Sequence, residues 1–399
     1  MAKKTSVAIY ALHPITYQTP IFEDLHNKLV SEEPGIRFEV LFGDDLSLRN
    51  VYYEHLNSSI RFDQNLRLDR FPNKFLKNYA RDSRRGFFSR INPQIFVDMI
   101  VNRRDILLVH GYETFTAWIA IFLYKVFQRK VIFRGEAVLE GTPYHGGLVR
   151  AIKRKVLPIL FKCIDKFAYS CDGNRRYFEE YGVENEKFIF MPCAVNNEYY
   201  LELIKESVTQ VHEIRDRYKV PEEHFTILFC ARFTDRKRPI DLIKAVSAID
   251  HAGITILFVG DGPKRDAMER AAKDSEVNAI FTGFLTTEEL TKLGVISHLA
   301  VNLSEKDPSP KSLNESMLFG LPVIVTDVLG TAKDLVESGV NGYIIPVGDT
   351  GSLAKHILFL KYNPKKRAEM GRNSLDKIRQ WNYSVGTCNL IKAIKSLTK

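Results

Sequence analysis

The stretch Leu303-Ser-Glu-Lys-Asp-Pro-Ser-Pro-Lys-Ser-Leu-Asn-Glu-Ser-Met-Leu-Phe-Gly-Leu-Pro322 decides how this sequence folds. It starts at the end of one apolar run, His298–Leu303, and ends at the start of another, Pro322–Thr326. Each run predicts a buried strand. Between the runs, Ser309 is a suitable N-cap and Pro310 a suitable first residue of a helix. The stretch therefore predicts a strand–helix–strand unit of a parallel sheet covered by helices.

The same alternation continues on both sides of this stretch. Further strands of the C-terminal half are predicted at Thr226–Ala231, Thr255–Gly260, Ala279–Phe281 and Gly342–Pro346. Strands of the N-terminal half are predicted at Ser6–Leu12, Arg37–Phe42, Ile106–His110, Val131–Arg134, Lys166–Ser170 and Phe188–Pro192. The fold class is therefore α/β, with two tandem doubly wound Rossmann-like domains.

The domain boundaries follow from breaks in this alternation. The segment Asn196–Glu223 is charged and helical in pattern, and the alternation restarts at Thr226. We predict domains at 1–200 and 201–380, followed by a helix at 381–399 that either pads the second domain or returns to the first. The stretch Leu48–Asn92 is polar and irregular, which predicts a long loop or insertion.

Composition limits the partners and the compartment. The net charge of +9 and the pI of about 9.1 favour anionic partners without choosing among them. The five cysteines are odd in number and have no metal-binding spacing, which is typical of reduced thiols in a cytosolic protein. The apolar run Val7–Leu12 is too short for a signal peptide core, so we expect a cytoplasmic protein.

A basic loop follows the predicted strand Thr226–Ala231. In Cys230-Ala-Arg-Phe-Thr-Asp-Arg-Lys-Arg-Pro239 four cations stand at the carboxyl end of a strand, where doubly wound sheets bind ligands. We interpret these four cations, Arg232, Arg236, Lys237 and Arg238, as a diphosphate clamp. A solvated basic loop would be the alternative if this segment stood alone.

The predicted helix after Ser309 faces the same edge of the sheet. Its free amides and its dipole favour an anion. Two carboxylates, Asp307 and Glu315, flank this helix start at a separation of eight positions. A capped amphipathic helix would explain the start of the helix, but not two acids beside a cationic loop.

Both segments resemble the donor-site motifs of the retaining two-Rossmann (GT-B) glycosyltransferases of the family-four group, also called group 1. That family has an Arg at a strand end with a Lys five positions later, and two acids eight positions apart before Gly-Leu-Pro. The matching positions here are Arg232, Lys237, Asp307, Glu315, Gly320–Pro322, Val259–Pro263, Gly283–Phe284 and Ser304. They span about residues 225–350.

The resemblance implies roles for these residues. Arg232 and Lys237 would stabilise the departing diphosphate, with the first-turn residues Pro310, Lys311, Ser312 and Leu313 also contacting the donor. Glu315 would bind the ribose hydroxyls and Asp307 the donor sugar, although the family usually has Glu at the first position. Gly283 and Phe284 would contact the base. Arg236 and Arg238 would point to solvent or to the acceptor. The resemblance also implies a retaining enzyme in which an acceptor-binding domain, 1–200, and a nucleotide-sugar-binding domain, 201–380, face each other across a cleft. It further implies that the helix at 381–399 returns to the first domain.

The first domain resembles the family more weakly. The loop His13-Pro-Ile-Thr-Tyr-Gln-Thr-Pro20 is similar to a variant of the family's first loop, and it contains Tyr17. The family often has a His after the strand that corresponds to Val131–Phe133, where Arg134-Gly-Glu136 stands here. We assign Tyr17, Glu136 and His110 as candidate acceptor or sugar contacts. A histidine at a strand end is more often structural.

These observations predict a hexosyltransferase that moves sugar from a nucleotide-sugar, UDP- or GDP-linked, to a glycan or lipid-linked acceptor in polysaccharide biosynthesis. No Asp-x-Asp pair is present, so neither a metal nor another cofactor is expected. The basic apolar helix predicted at 147–166 suggests contact with the inner membrane face. No nucleic-acid partner is expected, and the oligomeric state is open.

Two alternatives stay open at this point. A nucleotide-sugar epimerase shares the two-domain architecture. A non-catalytic scaffold that binds nucleotide sugar or acidic polymer is favoured by the unusual residues Asp307 and Glu136. A nicotinamide dehydrogenase is disfavoured because Gly260-Asp-Gly262 lacks the third glycine of the dinucleotide-binding turn.

Overall fold

The computed structural model describes residues 4–49, 51–53, 58–60, 66–83, 86–139 and 147–398, with side chains left out at 51–53, 58–60 and 147–150. The chain forms two compact units. The first contains the described residues up to Cys193 together with those from Tyr383 onward, and the second contains Ala194–Asn382. The chain passes from the first unit to the second between Cys193 and Ala194, and back between Asn382 and Tyr383.

The first unit is built on a parallel sheet. Its strands are β1 (Thr5–Ala11), β2 (Ile36–Phe42), β5 (Asn73–Phe75), β6 (Ile106–His110), β7 (Lys130–Arg134), β8 (Lys166–Tyr169) and β9 (Phe188–Phe190), and a separate antiparallel pair is formed by β3 (Val51–Tyr53) and β4 (Ser58–Ile60). The strand order is β5-β2-β1-β6-β7-β8-β9. It reverses between β1 and β6, which is where doubly wound sheets place ligands.

Helices cover both faces of this sheet. They are α1 (Thr19–Glu32), α2 (Gln94–Val101), α3 (Phe115–Val126), α4 (Gly147–Lys162) and α5 (Asp172–Glu180). Helices α2, α3, α4 and α5 bury apolar residues in one core, and α1 buries its own in a core on the opposite face. The long loop predicted at Leu48–Asn92 is only partly correct, because Asn73–Phe75 pairs in parallel with β2 as an edge strand.

The second unit repeats the architecture. Its strands are β10 (Phe225–Cys230), β11 (Ile254–Val259), β12 (Ala279–Gly283), β13 (Leu299–Asn302), β14 (Val323–Thr326) and β15 (Gly342–Ile345). Its helices are α6 (Asn197–Ser207), α7 (Val211–Tyr218), α8 (Pro239–Ser247), α9 (Arg265–Asp274), α10 (Thr287–Val295), α11 (Lys311–Leu318), α12 (Ala332–Leu335), α13 (Thr350–Tyr362) and α14 (Pro364–Arg379). The parallel order β12-β11-β10-β13-β14-β15 reverses between β10 and β13.

The last helix, α15 (Tyr383–Thr398), belongs to the first unit. Its buried side chains Leu390, Ile391, Ala393 and Ile394 join the core that α1 covers. Polar contacts reinforce this packing, since Lys28 Nζ donates to Ser384 Oγ at 2.6 Å and Asn389 Nδ2 donates to the Phe190 carbonyl at 2.9 Å. Of the two positions open to the final helix, the structure has the return to the first unit.

Candidate functional site

The loops after β10 and β13 meet at the carboxyl edge of the second sheet. These strands are neighbours at the point where the strand order reverses, so their loops flank a natural crevice. Backbone and side chain tie them together: Glu305 N donates to the Arg236 carbonyl at 2.9 Å, and Arg236 Nη1 donates to the Lys306 carbonyl at 2.7 Å. The basic loop and the acidic loop therefore form one structural element.

Lys237 and Asp307 form an ion pair at this edge. The side chain of Lys237 is 11% exposed and that of Asp307 is 15% exposed, so water screens the pair weakly. The second oxygen of Asp307, Oδ1, accepts from Ser309 N at 3.2 Å. Lys237, predicted to contact phosphate, and Asp307, predicted to contact the sugar, are thus paired with each other in this structure.

The other cations of the loop differ in their surroundings. Arg232 is exposed, and no hydrogen bond or ion pair of its guanidinium is found in the part of the chain that the structure describes. Arg238 instead donates through Nε to Asp241 at 2.6 Å and lies 3.6 Å from Glu305. Two carboxylates therefore hold Arg238 against the loop. Its side chain is still 31% exposed, so its pointing to solvent or acceptor stays a prediction.

Helix α11 begins one residue later than predicted. Pro310 is the N-cap with φ −65° and ψ 121°, an extended conformation, and Lys311 is the first helical residue. The hydroxyl of Ser309 is buried without a hydrogen-bond partner, so the prediction of a Ser309 N-cap is wrong. No side chain caps the start of α11, and the Leu313 amide donates to the Pro310 carbonyl at 3.1 Å. The N-terminus of this helix is of the kind that favours an anion.

Glu315 lies on the second turn of α11 and is hydrogen-bonded to a tyrosine that the sequence analysis did not select as a site residue. Tyr200, on α6, donates its hydroxyl proton to Glu315 Oε1 at 2.7 Å. Burial raises the pKa of the Glu315 carboxyl, whereas the hydrogen bond from Tyr200 lowers it. Burial, and next the charge of Glu315, raise the pKa of Tyr200 well above its usual value, so the phenol stays a donor.

The predicted base contacts lie at the end of β12. Gly283 adopts φ +75°, and the ring of Phe284 is 69% exposed. The neighbouring Gly260 and Gly262 have no room for a side chain, since a Cβ atom would lie 2.0 Å from the Ala231 carbonyl oxygen and 2.5 Å from that of Phe233. These two glycines therefore let the β11–α9 loop pack directly against the loop that carries Arg232.

The three acceptor candidates lie in the first unit. His110 ends β6 and is 7% exposed, and burial together with the charge of Arg134 lowers the pKa of its ring well below the usual value. Glu136 follows β7, and its Oε1 accepts from Cys193 Sγ at 3.3 Å. Tyr17 lies half-buried in the loop between β1 and α1. His110 and Glu136 thus follow adjacent strands at the carboxyl edge of the first sheet.

No group of three or more His, Cys, Asp or Glu side chains that could hold a metal ion occurs in the described parts of the chain. The cations Arg232 and Lys237 and the start of α11 are among the positively charged features of the second unit's edge. The absence of a cofactor remains a prediction.

Comparison with known proteins identifies the class. Residues 210–377 match the sequence model of the family "Glycosyl transferases group 1". Over its full length the chain superimposes on HepE of Anabaena, solved in complex with UDP, with a TM-score of 0.74, 17% identity and coverage of 98% of this chain and 100% of that one. It also superimposes on the glycosyltransferase WaaG, of lipopolysaccharide biosynthesis, with a TM-score of 0.64 and 14% identity, covering 98% and 99% of the two chains.

The chain therefore has the GT-B fold of glycosyltransferases. The match to the glycosyl transferases group 1 model lies within its second unit.

Sequence relatives match over about half of this chain or less. N-acetyl-alpha-D-glucosaminyl L-malate synthase of Bacillus anthracis is 27% identical over 42% of this chain and 44% of its own length. Poly(ribitol-phosphate) alpha-N-acetylglucosaminyltransferase of Staphylococcus aureus is 25% identical over 50% of this chain and 42% of its own. The matches span less than half the length of these relatives.

Proposed function

We propose that this protein is a retaining glycosyltransferase that transfers a hexosyl group from a UDP- or GDP-linked sugar to a glycan or lipid-linked acceptor in polysaccharide biosynthesis. The observation that carries the proposal is the joined edge of the second unit. There Arg232, Lys237 and the uncapped start of α11 present positive charge beside Asp307 and Glu315. The family match and the nucleotide-bound relative support it.

The arrangement suits cleavage of a sugar–diphosphate bond. Negative charge grows on the diphosphate as the bond breaks, and fixed cations with oriented amides stabilise it without reorganisation. Arg232 has the planar fork that grips phosphate, and Lys237 supplies a compact charge. We propose that phosphate displaces Asp307 from Lys237, which frees the Asp307 carboxylate for the donor sugar. Glu315 binds the ribose, and Gly283 and Phe284 contact the base.

We further propose that no metal takes part, because these cations supply the charge that a metal otherwise would. A panel of UDP- and GDP-sugars tests the function through release of nucleoside diphosphate, with anomeric configuration of the product read by NMR. We expect one donor to be turned over at an unchanged rate in EDTA, with the configuration retained. Activity that disappears in EDTA and returns with Mg²⁺ would contradict metal independence.

The same assay separates the two alternatives. A scaffold would bind a nucleotide sugar and release no diphosphate. An epimerase would convert the sugar without requiring an acceptor. The names of three relatives include malate, ribitol phosphate and diphosphate-linked undecaprenol, which are all anionic. Anionic acceptors are therefore the first to screen.

We also propose contact with an anionic membrane surface, through one face of the first unit. Twelve of the twenty large hydrophobic side chains that are exposed in the described chain lie on α2, α3, α4 and the turn at Phe87–Ser89, or directly after α3. They are Phe87, Phe88, Val97, Ile100, Val101, Ile119, Phe122, Val126, Phe127, Ile152, Val156 and Ile159. Helices α2, α3 and α4 pack on the same core, so these side chains cover one side of the sheet.

The positive charge around this apolar surface favours an anionic membrane as its partner. Exposed cations, including Lys125, Arg103, Lys155 and Lys162, surround it, and helix α4 contains no acidic residue. Such a surface repels a second copy of itself but is attracted to anionic headgroups. No helix among the described residues is long and apolar enough to cross a membrane, and the proposed contact needs none.

Vesicle flotation tests the contact. We expect binding to vesicles of three parts phosphatidylcholine to one part phosphatidylglycerol, and weak binding to phosphatidylcholine alone. Phe88→Asp and Val126→Asp should abolish binding, whereas Val340→Asp, at an exposed position of the second unit, should not. Concentration-dependent dimerisation that these two substitutions prevent, without vesicle binding by the unsubstituted protein, would overturn the assignment.

A further inference from the structure

Among the described residues, the first unit contains a buried cation without a partner. Arg134 is the last residue of β7, and only 2% of its surface is exposed. Its three side-chain nitrogens, Nε, Nη1 and Nη2, are buried and make neither a hydrogen bond nor an ion pair with any described residue. A guanidinium in this position is costly to leave alone, because it has lost its water without gaining an anion.

His110 adds a second unpartnered nitrogen at the same place. It lies directly opposite Arg134 in the pairing of β6 with β7, and its Nε2 is buried without a hydrogen bond. Side chains alternate along strands, and Leu108 and Ile132, two residues earlier on each strand, belong to the core that α1 covers. His110 and Arg134 therefore share that face, and the His110 ring contacts Phe22 of α1.

The nearest acid in sequence does not neutralise Arg134. Glu136 is two residues away, but its Oε1 accepts from Cys193 Sγ and it forms no ion pair with Arg134. The buried pair thus offers guanidinium N–H groups and an imidazole nitrogen, and no described residue supplies an anion to receive them. The planar fork of Arg matches the oxygens of phosphate or carboxylate.

We propose that Arg134 and His110 form a seat for an oxyanion, a phosphate or a carboxylate group, at the carboxyl edge of the first sheet. Resting on the proposed function, that anion is carried by the acceptor, since the donor-site candidates Arg232 and Lys237 belong to the other unit. The seat nitrogens are closed to water, so the anion reaches them as the covering side chains move aside. Acceptors without an anionic group would then leave the buried charge unpaired and be selected against.

Thermal unfolding tests the seat without any need for turnover. The Lys237→Ala background weakens anion binding at the donor edge. In it, the transition of the first unit is followed in chloride and in phosphate or malonate of equal ionic strength. We expect phosphate or malonate to raise the transition temperature by a few degrees in a concentration-dependent way, because both bind only the folded seat. Dihexanoylphosphatidic acid, as a further arm, distinguishes a lipid-borne phosphate from a free one.

Two variants decide the outcome. Arg134→Met should match or exceed the parent stability in chloride, because an unpaired buried charge has been removed, and should lose the response to all three anions. Arg134→Lys should keep a weaker response. An equal rise in Arg134→Met and its parent would overturn the seat, as would no rise in the parent. Neither result bears on diphosphate release by the unsubstituted protein, so the proposed transferase activity stands or fails separately.

Discussion

At the scale of single residues, we propose that Arg232 and Lys237, on the joined loops of the second unit, are the cations that bind a diphosphate. Charge on the diphosphate is greater in the transition state than in the bound donor, so these contacts should affect kcat as well as affinity. We predict that Arg232→Ala lowers kcat by about 10²–10³-fold, the loss typical of one oriented donor of this kind. Steady-state kinetics with the donor found in the screen measures it.

Arg236→Ala is the matched control for this prediction. Arg236 belongs to the same loop and is exposed, and among the described residues its side chain donates to the Lys306 carbonyl alone. Its loss should change kcat little. Lys237→Ala should reduce kcat too, but it also leaves the carboxylate of Asp307 unpaired, so its unfolding must be measured alongside. Equal rates for Arg232→Ala and the unsubstituted protein would remove the clamp assignment.

Tyr200 and Glu315 give a second prediction, on pH. Burial raises the pKa of Glu315, so its carboxylate form is lost on acidification at a higher pH than for an exposed glutamate. If the ribose hydroxyls donate to that carboxylate, affinity for UDP should fall as pH drops through the raised pKa. Tyr200→Phe removes a hydrogen bond that lowers this pKa, so the fall should move to higher pH.

Calorimetric titration of UDP between pH 4.5 and 8 measures this effect. Glu315→Gln is the control, because it keeps the titration of the nucleotide itself and removes that of the carboxyl. It should bind UDP more weakly and lose the extra dependence on pH. An unchanged profile in Tyr200→Phe would show that the hydrogen bond does not tune Glu315.

The sequence revealed these residues unequally. Lys237 and Asp307 carry a spacing that follows from one strand–loop–helix unit, so each could be chosen as a candidate. Their ion pair could not be predicted, because it depends on how the loops of β10 and β13 approach each other. Tyr200 gave no signal, since it lies 115 positions from its partner on a helix of the linking segment. Arg134 was visible only as a substitution for an expected His.

At the scale of elements, the strands of both units were predicted to within a few residues. Strands buried on both faces are continuous apolar runs, which polar turns delimit clearly. The edge strand β5 was missed because Asn73–Phe75 is short and half polar, and only its pairing with β2 makes it a strand. The start of α11 was misplaced because proline fixes φ but not ψ, and Pro310 has an extended ψ.

Helix α15 provides an element-scale prediction. Ile394 is 1% exposed and lies in the core that α1 covers, so Ile394→Ala removes buried apolar contacts and leaves a cavity. We predict destabilisation of the first unit by about 2–5 kcal/mol. Lys392→Ala, on the exposed side of the same helix, should change stability by at most about 0.5 kcal/mol. Scanning calorimetry measures both, and equal effects would contradict the packing of α15.

At the scale of the whole molecule, the chain contains separate cores in two units. One core fills the second unit between its sheet and α8, α9 and α13, and the first unit has a core on each face of its sheet. The chain enters the first unit, forms the second, and returns through α15. The proposed donor residues all belong to the second unit, and the oxyanion seat belongs to the first. Ligands for the two sites should therefore stabilise different parts of the molecule.

This separation gives the last prediction. UDP at about 100 times its Kd should stabilise the second unit by about 2.7 kcal/mol, because it binds only the folded site. For a unit of this size that corresponds to a rise of about 5–10 °C in its transition. The transition that Ile394→Ala lowers marks the first unit and should not respond to UDP, and Lys237→Ala should abolish the response of the other. UDP could instead raise the transition temperature that Ile394→Ala lowers, or the transition temperatures of both units. Either result would mean that the second unit does not bind the nucleotide alone, and that the assignment of the donor site to its edge is wrong.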